Sequence, residues 1–528
     1  MAQKLFPIGV QDFRSIIEDG FCYVDKTELV YKLVKSGRNA FLSRPRRFGK
    51  SLLCTTLKYY MLGERELFRG LAIERLEKDW VRRPVLHIDF NRSKYESVDD
   101  LTEMLSICLS QWEEVYGKVD YETSLASRFA GIMRRAHERS GQKVAVIIDE
   151  YDKPLLDVMH DRELQDRMRT QLKSFYGQMK SGDADIQFVF LTGVTKFSKV
   201  SVFSDLNNIQ DISMNDDYAG ICGITQEEVD ANFGEDIGRM AAKRGLAYGE
   251  MRQQLRDTYD GYHFSPCMLD VYNPFSLLQA LQNSDLQHYW FASGTPTFLI
   301  RLLKNANYDL RRLSGIQVTA SRLGDISEPE RDPVPILFQS GYLTVKDYDP
   351  RFNWYSLDFP NVEVRQGFFD ALIPQYNLRT DAYGEDFCIA NFVMAVERGD
   401  IDGFMERLKA LFADIPYTQA SDKRRVLEQQ YQNVVYIVFT LMGFYTEVEH
   451  HTSMGRIDLV VKTPQYIYIM ELKVGKGTAE EAMRQIEDSH YADPYAADPR
   501  VLYKVGVGFD PDTNNMDRWV IAGGGSKP

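Results

Sequence analysis

No two of the six cysteines stand in a C-x-x-C spacing; Cys22, Cys54, Cys108, Cys222, Cys267 and Cys388 are scattered along the chain. That excludes a disulfide-framework fold and a zinc finger, and it fits a reducing compartment. Apolar runs long enough to span a bilayer are missing too. The greasiest stretch, Val434 to Tyr445, is interrupted by Thr440 and Gly443 and reads as a buried core helix, so no membrane partner is expected. The N-terminal residues carry Asp12, Arg14, Glu18 and Asp19 where a signal peptide needs an apolar core, and a cytoplasmic location is expected. Positive charge is in deficit: 63 Lys and Arg against 76 Asp and Glu leave a formal charge of -13. Broad electrostatic wrapping of nucleic acid is therefore disfavoured, and any DNA or RNA contact must use local basic patches. Internal repeats and low-complexity segments are absent.

What remains is a long chain of ordinary globular composition. Its 528 residues exceed the usual single-domain ceiling, so two or three domains are expected. Residues 39 to about 215 alternate apolar runs with helical patterns. Candidate strands are Asn39–Leu42, Val85–Phe90, Val144–Ile148 and Gln187–Leu191. Continuous apolar strands separated by helices predict a parallel sheet covered on both faces. From Tyr218 to Leu310 the pattern turns mainly helical. Arg322 to Pro333 reads as a polar connection, and Gly341–Val345 with Trp354–Leu357 as a hairpin, winged-helix-like in character. The last hundred or so residues read as a separate α/β unit with helix 424–442, strands near 445–449, 456–462, 466–474 and 501–508, and helix 478–490. The expected division is 1–215, a P-loop domain; 216–423, a mainly helical lid or connector; and 424–528, the C-terminal α/β domain. The glycine-rich tail from Gly523 reads as frayed.

Arg44-Pro45-Arg46-Arg47-Phe48-Gly49-Lys50-Ser51 lies at a predicted strand-to-helix junction. Gly49, Lys50 and Ser51 complete the back half of a phosphate loop, in which backbone N–H groups and the helix dipole hold phosphates, the lysine reaches the β/γ oxygens and the hydroxyl ligates Mg²⁺. The full pattern also wants a glycine where Arg44 stands. Downstream, Ile147-Ile148-Asp149-Glu150 is an apolar strand ending in two carboxylates. On the general plan of such ATPases the first acid holds the Mg²⁺ shell and the second activates water. Both motifs, in order and each on the right element, favour an ATP site over a chance match. Thr192, ending the next strand, reads either as a γ-phosphate sensor or as a simple strand-end hydroxyl.

With Leu5-Phe6-Pro7-Ile8-Gly9, Tyr23-Val24-Asp25-Lys26-Thr27, Leu206-Asn207-Asn208, Tyr259-Asp260-Gly261-Tyr262 and Tyr272-Asn273-Pro274-Phe275-Ser276, these motifs resemble, over nearly the whole length, the predicted AAA-ATPase-like proteins abundant in gut bacteria. Members commonly end in a PD-(D/E)xK nuclease domain. The resemblance implies that Arg44 is the rule at its position, that Arg46 and Arg47 belong to the nucleotide-binding loop, and that Asp25 and Lys26 lie near the nucleotide.

Near the C-terminus, Asp458 opens an apolar run, and Glu471 and Lys473 share one face of the strand Ile467–Lys473 by period-two alternation. Charges flanking Leu472 in so apolar a strand are costly to bury unless they pair or bind something. Asp458 and Glu471 can offer oxygen to Mg²⁺ or Mn²⁺, and Lys473 can position or help deprotonate water. The trio resembles the D…ExK core of the PD-(D/E)xK superfamily. That resemblance implies a further metal-ligating acid at Glu428 and a helix polar position at Gln485. A surface hairpin with a Glu–Lys ion pair is the plain alternative. His450-His451 lacks partner spacing for a metal. Tyr491, Tyr59-Tyr60-Met61 and Phe368-Phe369 read as core.

The leading expectation is an ATP-binding, ATP-hydrolysing protein whose Mg²⁺-dependent nuclease domain cuts DNA or RNA under nucleotide control, with oligomerisation left open. A second reading stays open: an ATP-dependent switch whose nuclease-like domain only binds nucleic acid or a protein, in phage defence or a mobile element.

Overall fold

The computed structural model describes residues 5–196, 209–292, 297–324, 326, 328–329, 331–376, 388–413, 423–443, 445–453, 456–473, 477–510 and 515–524. The Leu206-Asn207-Asn208 motif lies outside the described residues, as do the side chains of Glu428, His450, His451 and Asp458. The chain divides into two compact units. One comprises residues 1–293 and 315–364, the other residues 294–314 and 365–528.

In the first unit five strands form one parallel sheet. They are β1 (Asn39–Ser43), β2 (Val85–Asp89), β3 (Val144–Asp149), β4 (Ile186–Gly193) and the short β5 (Gln210–Asp211), in the order β2-β3-β4-β1-β5. All four predicted apolar runs are strands. Every residue of β3 is buried, as expected of a central strand with both faces covered. Helices Val98–Tyr116, Leu125–Ser140 and Arg162–Ser181 pack together beside the sheet. Serine capping boxes start the first two, and Gly117 and Gly141 end them. Because the strands are parallel, their C-terminal ends share one edge, where α/β sheets place their ligands.

A second core in this unit is helical. Phe6, Phe233, Ile237, Met251, Tyr259 and Leu277 pack there. Beyond it, β6 (Ile316–Thr319), β7 (Thr344–Asp349) and β8 (Trp354–Asp358) form an antiparallel sheet in the order β6-β8-β7. The expected hairpin is β7–β8; β6, too short and polar to stand out, was not foreseen. The stretch read as a polar connection begins with a short helix, Ala320–Leu323, and Arg322 pairs with Asp332 at 2.6 Å. The helix Val334–Gln339 before the hairpin buries Val334, Pro335, Ile336, Leu337 and Gln339, so it packs inward.

The second unit is built on a mixed sheet, β13-β12-β11-β10-β9, from β9 (Glu447–Ser453), β10 (Arg456–Lys462), β11 (Tyr466–Lys473), β12 (Val501–Asp510) and β13 (Asn515–Gly523). Only β11 and β12 run parallel. The helix Lys423–Met442 buries Val434, Val435, Ile437, Val438 and Phe439, the stretch read as a core helix. β9 extends past the predicted end at 449, and β13, ending at the glycine tail, was missed. Among the described residues no helix is long and apolar enough to cross a membrane.

Candidate functional site

At the sheet edge of the first unit, β1 runs into the loop and the helix Lys50–Met61 begins. Gly49 takes a left-handed φ of 88° to make the turn, and no side chain caps the helix start. The first turn of this helix therefore keeps its N–H groups for an anion. Lys50 is buried; its ammonium donates to Pro45 O at 3.2 Å and lies 3.1 Å from Glu150 Oε1. Arg47 and Glu150 both hold positive φ, 70° and 53°. Such backbone costs about 1–3 kcal/mol per residue and concentrates at working sites.

Asp149 ends β3 and faces Ser51 across the site. It is only 2% exposed, and its Oδ1 has no hydrogen-bond partner among the described residues. Burial, and next the charge of Glu150, push its carboxyl up to about 7, against the opposing pull of Ser51 and Lys50. A hydroxyl plus a buried carboxylate with an oxygen to spare is a donor set that suits Mg²⁺.

Arg44, at the position where the common pattern has glycine, is a fully buried structural residue. Its guanidinium donates to Ser213 O at 2.7 Å and Tyr218 O at 3.3 Å and lies 4.1 Å from the Phe264 ring centroid. Burial brings it down to about 10. Arg46 and Arg47, by contrast, are exposed on the loop. Thr192 donates its hydroxyl to Leu42 O at 2.8 Å, across β4 to β1. Asp25 takes Thr27 N and Oγ1 on one oxygen and Ala72 N on the other. Lys26 pairs with Glu228 at 2.6 Å. Burial pushes the Cys222 thiol up, and the charges of Arg44, Lys50 and Lys26 pull it back.

Two features escaped the sequence reading. Asp89 ends β2 opposite Asp149, which adds a third carboxylate at the strand ends, and its charge contributes to the rise at Asp149. The signal was there, an acid closing an apolar run, but nothing in the sequence said that β2 neighbours β3. Asp152, fully buried, accepts from Val194 N, Thr195 N and Thr195 Oγ1 and ties the acidic strand end to the end of β4. Burial, then the Glu150 charge, raises its carboxyl.

In the second unit, Asp458 on β10 stands opposite Glu471 on β11, and His451 on β9 opposite Asp458. Glu471 is fully buried, and Lys473 Nζ donates to its Oε1 at 3.0 Å. The same ammonium bonds Gln485 Oε1 from the helix Ala479–Asp488. That helix reaches the strands because Gly506 and Gly508 oppose Glu471 and Lys473 on β12. A Cβ at Gly506 would lie 2.4 Å from Ala479 O, and one at Gly508 2.7 Å from Ala479 N. The Gly506–Gly508 alternation was the unread signal for this close approach. Glu428 lies within the helix Lys423–Met442. Tyr491 is half-buried after the Ala479–Asp488 helix; Tyr59, Tyr60, Met61, Phe368 and Phe369 are core.

Residues 7–203 match the family described as predicted AAA-ATPase, and residues 426–519 match the PD-(D/E)XK nuclease superfamily. The chain is also 35% identical over 536 residues to a protein of Azotobacter chroococcum mcd 1 described as "Uncharacterized protein in vnfD 5'region", an alignment spanning 99% of each chain. Fold and matches together define an α/β protein that joins a P-loop ATPase-like domain to a nuclease-superfamily domain. The chain belongs to the predicted AAA-ATPase family, and its own C-terminal region belongs to the PD-(D/E)XK nuclease superfamily.

Proposed function

We propose that the protein binds and hydrolyses ATP with Mg²⁺ and cuts nucleic-acid phosphodiester bonds under the control of that nucleotide, in the cytoplasm. The observation that carries the ATP half is the buried Asp149 beside Ser51, its Oδ1 without a partner among the described residues, with Lys50 poised at the same strand ends. The cation, when bound, supplies charge neutralisation on the phosphates. Lys50, Arg46 and Arg47 supply fixed positive charge, and Gly49 opens the turn. Asp149 and Ser51 offer oxygen to the cation. Glu150 leaves Lys50 to accept a proton from the attacking water. Asp25 and Lys26 frame the same neighbourhood.

For the nuclease half, Asp458 and Glu471, supported by Glu428, would hold the divalent ion. Lys473, oriented by Gln485 and Glu471, would position the water. The test is cleavage of several DNA and RNA substrates by the full chain, with and without ATP and with Mg²⁺ or Mn²⁺. Metal-dependent cutting that changes with ATP supports the reading. Nucleic-acid binding without cutting under every condition replaces it with the switch reading.

A further inference from the structure

The two exposed arginines of the phosphate loop are held from behind by aromatic residues that lie far away in sequence. Trp290 donates its indole N–H to the carbonyl of Arg46 at 3.1 Å. The Arg47 guanidinium lies over the ring of Phe275, 4.8 Å from its centroid. Phe275 lies in the first turn of the helix Pro274–Asn283, and Trp290 in the short helix Tyr289–Ala292. Neither aromatic is free to drift. Trp290 is buried against Tyr342, ring centroids 5.0 Å apart, and its backbone N–H donates to buried Glu363 at 2.8 Å. Glu363 also accepts from Ser276, the neighbour of Phe275, at 3.0 Å. Gly341 completes the contact from the other side, since a Cβ there would lie 2.6 Å from Pro45 Cβ.

An arginine pays a large rotamer-entropy cost when a phosphate orders it, and a loop peptide held at positive φ must be restrained to stay there. A ring face under the guanidinium and a donor on the preceding carbonyl meet both costs before ligand arrives. We infer that Trp290 and Phe275 are positioning residues for nucleotide binding, holding Arg46 and Arg47 ready for the triphosphate. Trp290, bonded directly to the loop backbone, also senses whether the loop is occupied. This rests on the ATP-binding reading above.

The experiment uses full-length protein and ATP with Mg²⁺, followed by calorimetry and by intrinsic tryptophan fluorescence. Wild type is expected to bind ATP with a change in emission. Trp290→Phe keeps the ring and loses the indole donor; it should bind ATP about tenfold more weakly and lose most of that change. Phe275→Leu should weaken ATP severalfold while keeping the fluorescence response, because Trp290 still touches the loop. Circular dichroism and a melting curve check that both variants fold. Should Trp290→Phe not fold, Phe275→Leu decides alone, and unaltered ATP affinity in it overturns the inference. If wild type and Lys50→Ala differ in ATP binding but Trp290→Phe and Phe275→Leu behave like wild type, the inference falls and the ATP reading stands. If wild type binds no ATP, both fall together.

Discussion

Lys50 and Glu150 sit 3.1 Å apart at the C-terminal edge of the parallel sheet, one at the start of the loop helix and the other just past the end of β3. Both side chains are mostly buried, 3% and 13% exposed, so the pair acts in a medium of low effective dielectric. Each partner is thereby held by the other until a phosphate competes for the lysine. Removing the lysine leaves Glu150 and Asp149 facing each other without their counter-charge. Lys50→Ala is expected to weaken ATP binding at least about 100-fold, about 2.8 kcal/mol at 1.4 kcal/mol per decade. Isothermal calorimetry checks it, and equal affinity in the two proteins refutes the assignment.

Glu150→Gln separates binding from chemistry. The amide keeps the size of the side chain and loses the basic oxygen. ATP affinity is expected to stay within a few-fold of wild type, while hydrolysis slows by about 10²–10⁴. A wild-type rate of phosphate release in this variant would move the base elsewhere, with Asp89 as the neighbouring acid to try next.

Arg44 gives a stability prediction that motif logic would invert. Installing the glycine of the common phosphate-loop pattern removes three charge-assisted bonds to backbone carbonyls, those of Ser43, Ser213 and Tyr218, and the stacking on Phe264. Arg44→Gly is expected to cost about 3 kcal/mol, read as a lower denaturant midpoint of the first unit. Arg44→Lys should not restore it, because an ammonium has no planar face for the ring and no fork for two carbonyls.

Glu363 ties stability to pH. Its carboxyl is 1% exposed, and burial pushes it from 4.5 up to about 7, with bonds from Trp290 N and Ser276 opposing. The folded state thus keeps a proton that the unfolded chain releases between those values. The contribution is complete below about pH 4.5 and is lost as pH rises through about 7. At about 1.4 kcal/mol per pKa unit it amounts to about 3 kcal/mol. Glu363→Gln should flatten the fall in melting temperature across this window. An unchanged slope would show that another group carries it.

In the second unit, Lys473→Ala is expected to keep Mn²⁺ binding and to lose at least about 100-fold in cleavage, because a lysine acts on water and not on the ion. Asp458→Ala should lose metal and cleavage together. Gln485→Leu should fall between wild type and Lys473→Ala, since it frees the ammonium from one partner but leaves Glu471. Full-length protein is the material for these assays, with Mn²⁺ binding read by paramagnetic resonance. Undiminished cutting in a Glu471→Ala, Lys473→Ala double variant would assign the activity to something other than this site.

Local patterns settled much of this protein. The four apolar runs between Asn39 and Leu191 are strands because continuous burial needs continuous apolar residues, and the Gly49-Lys50-Ser51 turn follows from which residues tolerate a left-handed bend before a helix. Period-two alternation likewise put Glu471 and Lys473 on one face of β11. Pairing is a long-range matter, and there the tertiary structure decided. Only the strand order places β4 between the loop strand and the acidic strand, and brings Asp89 level with Asp149. Only the docking of a helix on Gly506 and Gly508 carries Gln485 to Lys473. The burial of Arg44 and the grip of Trp290 and Phe275 on the loop depend on segments about 170 to 250 residues away in the chain. No window of sequence encodes such contacts, because their stability comes from packing and not from local propensity.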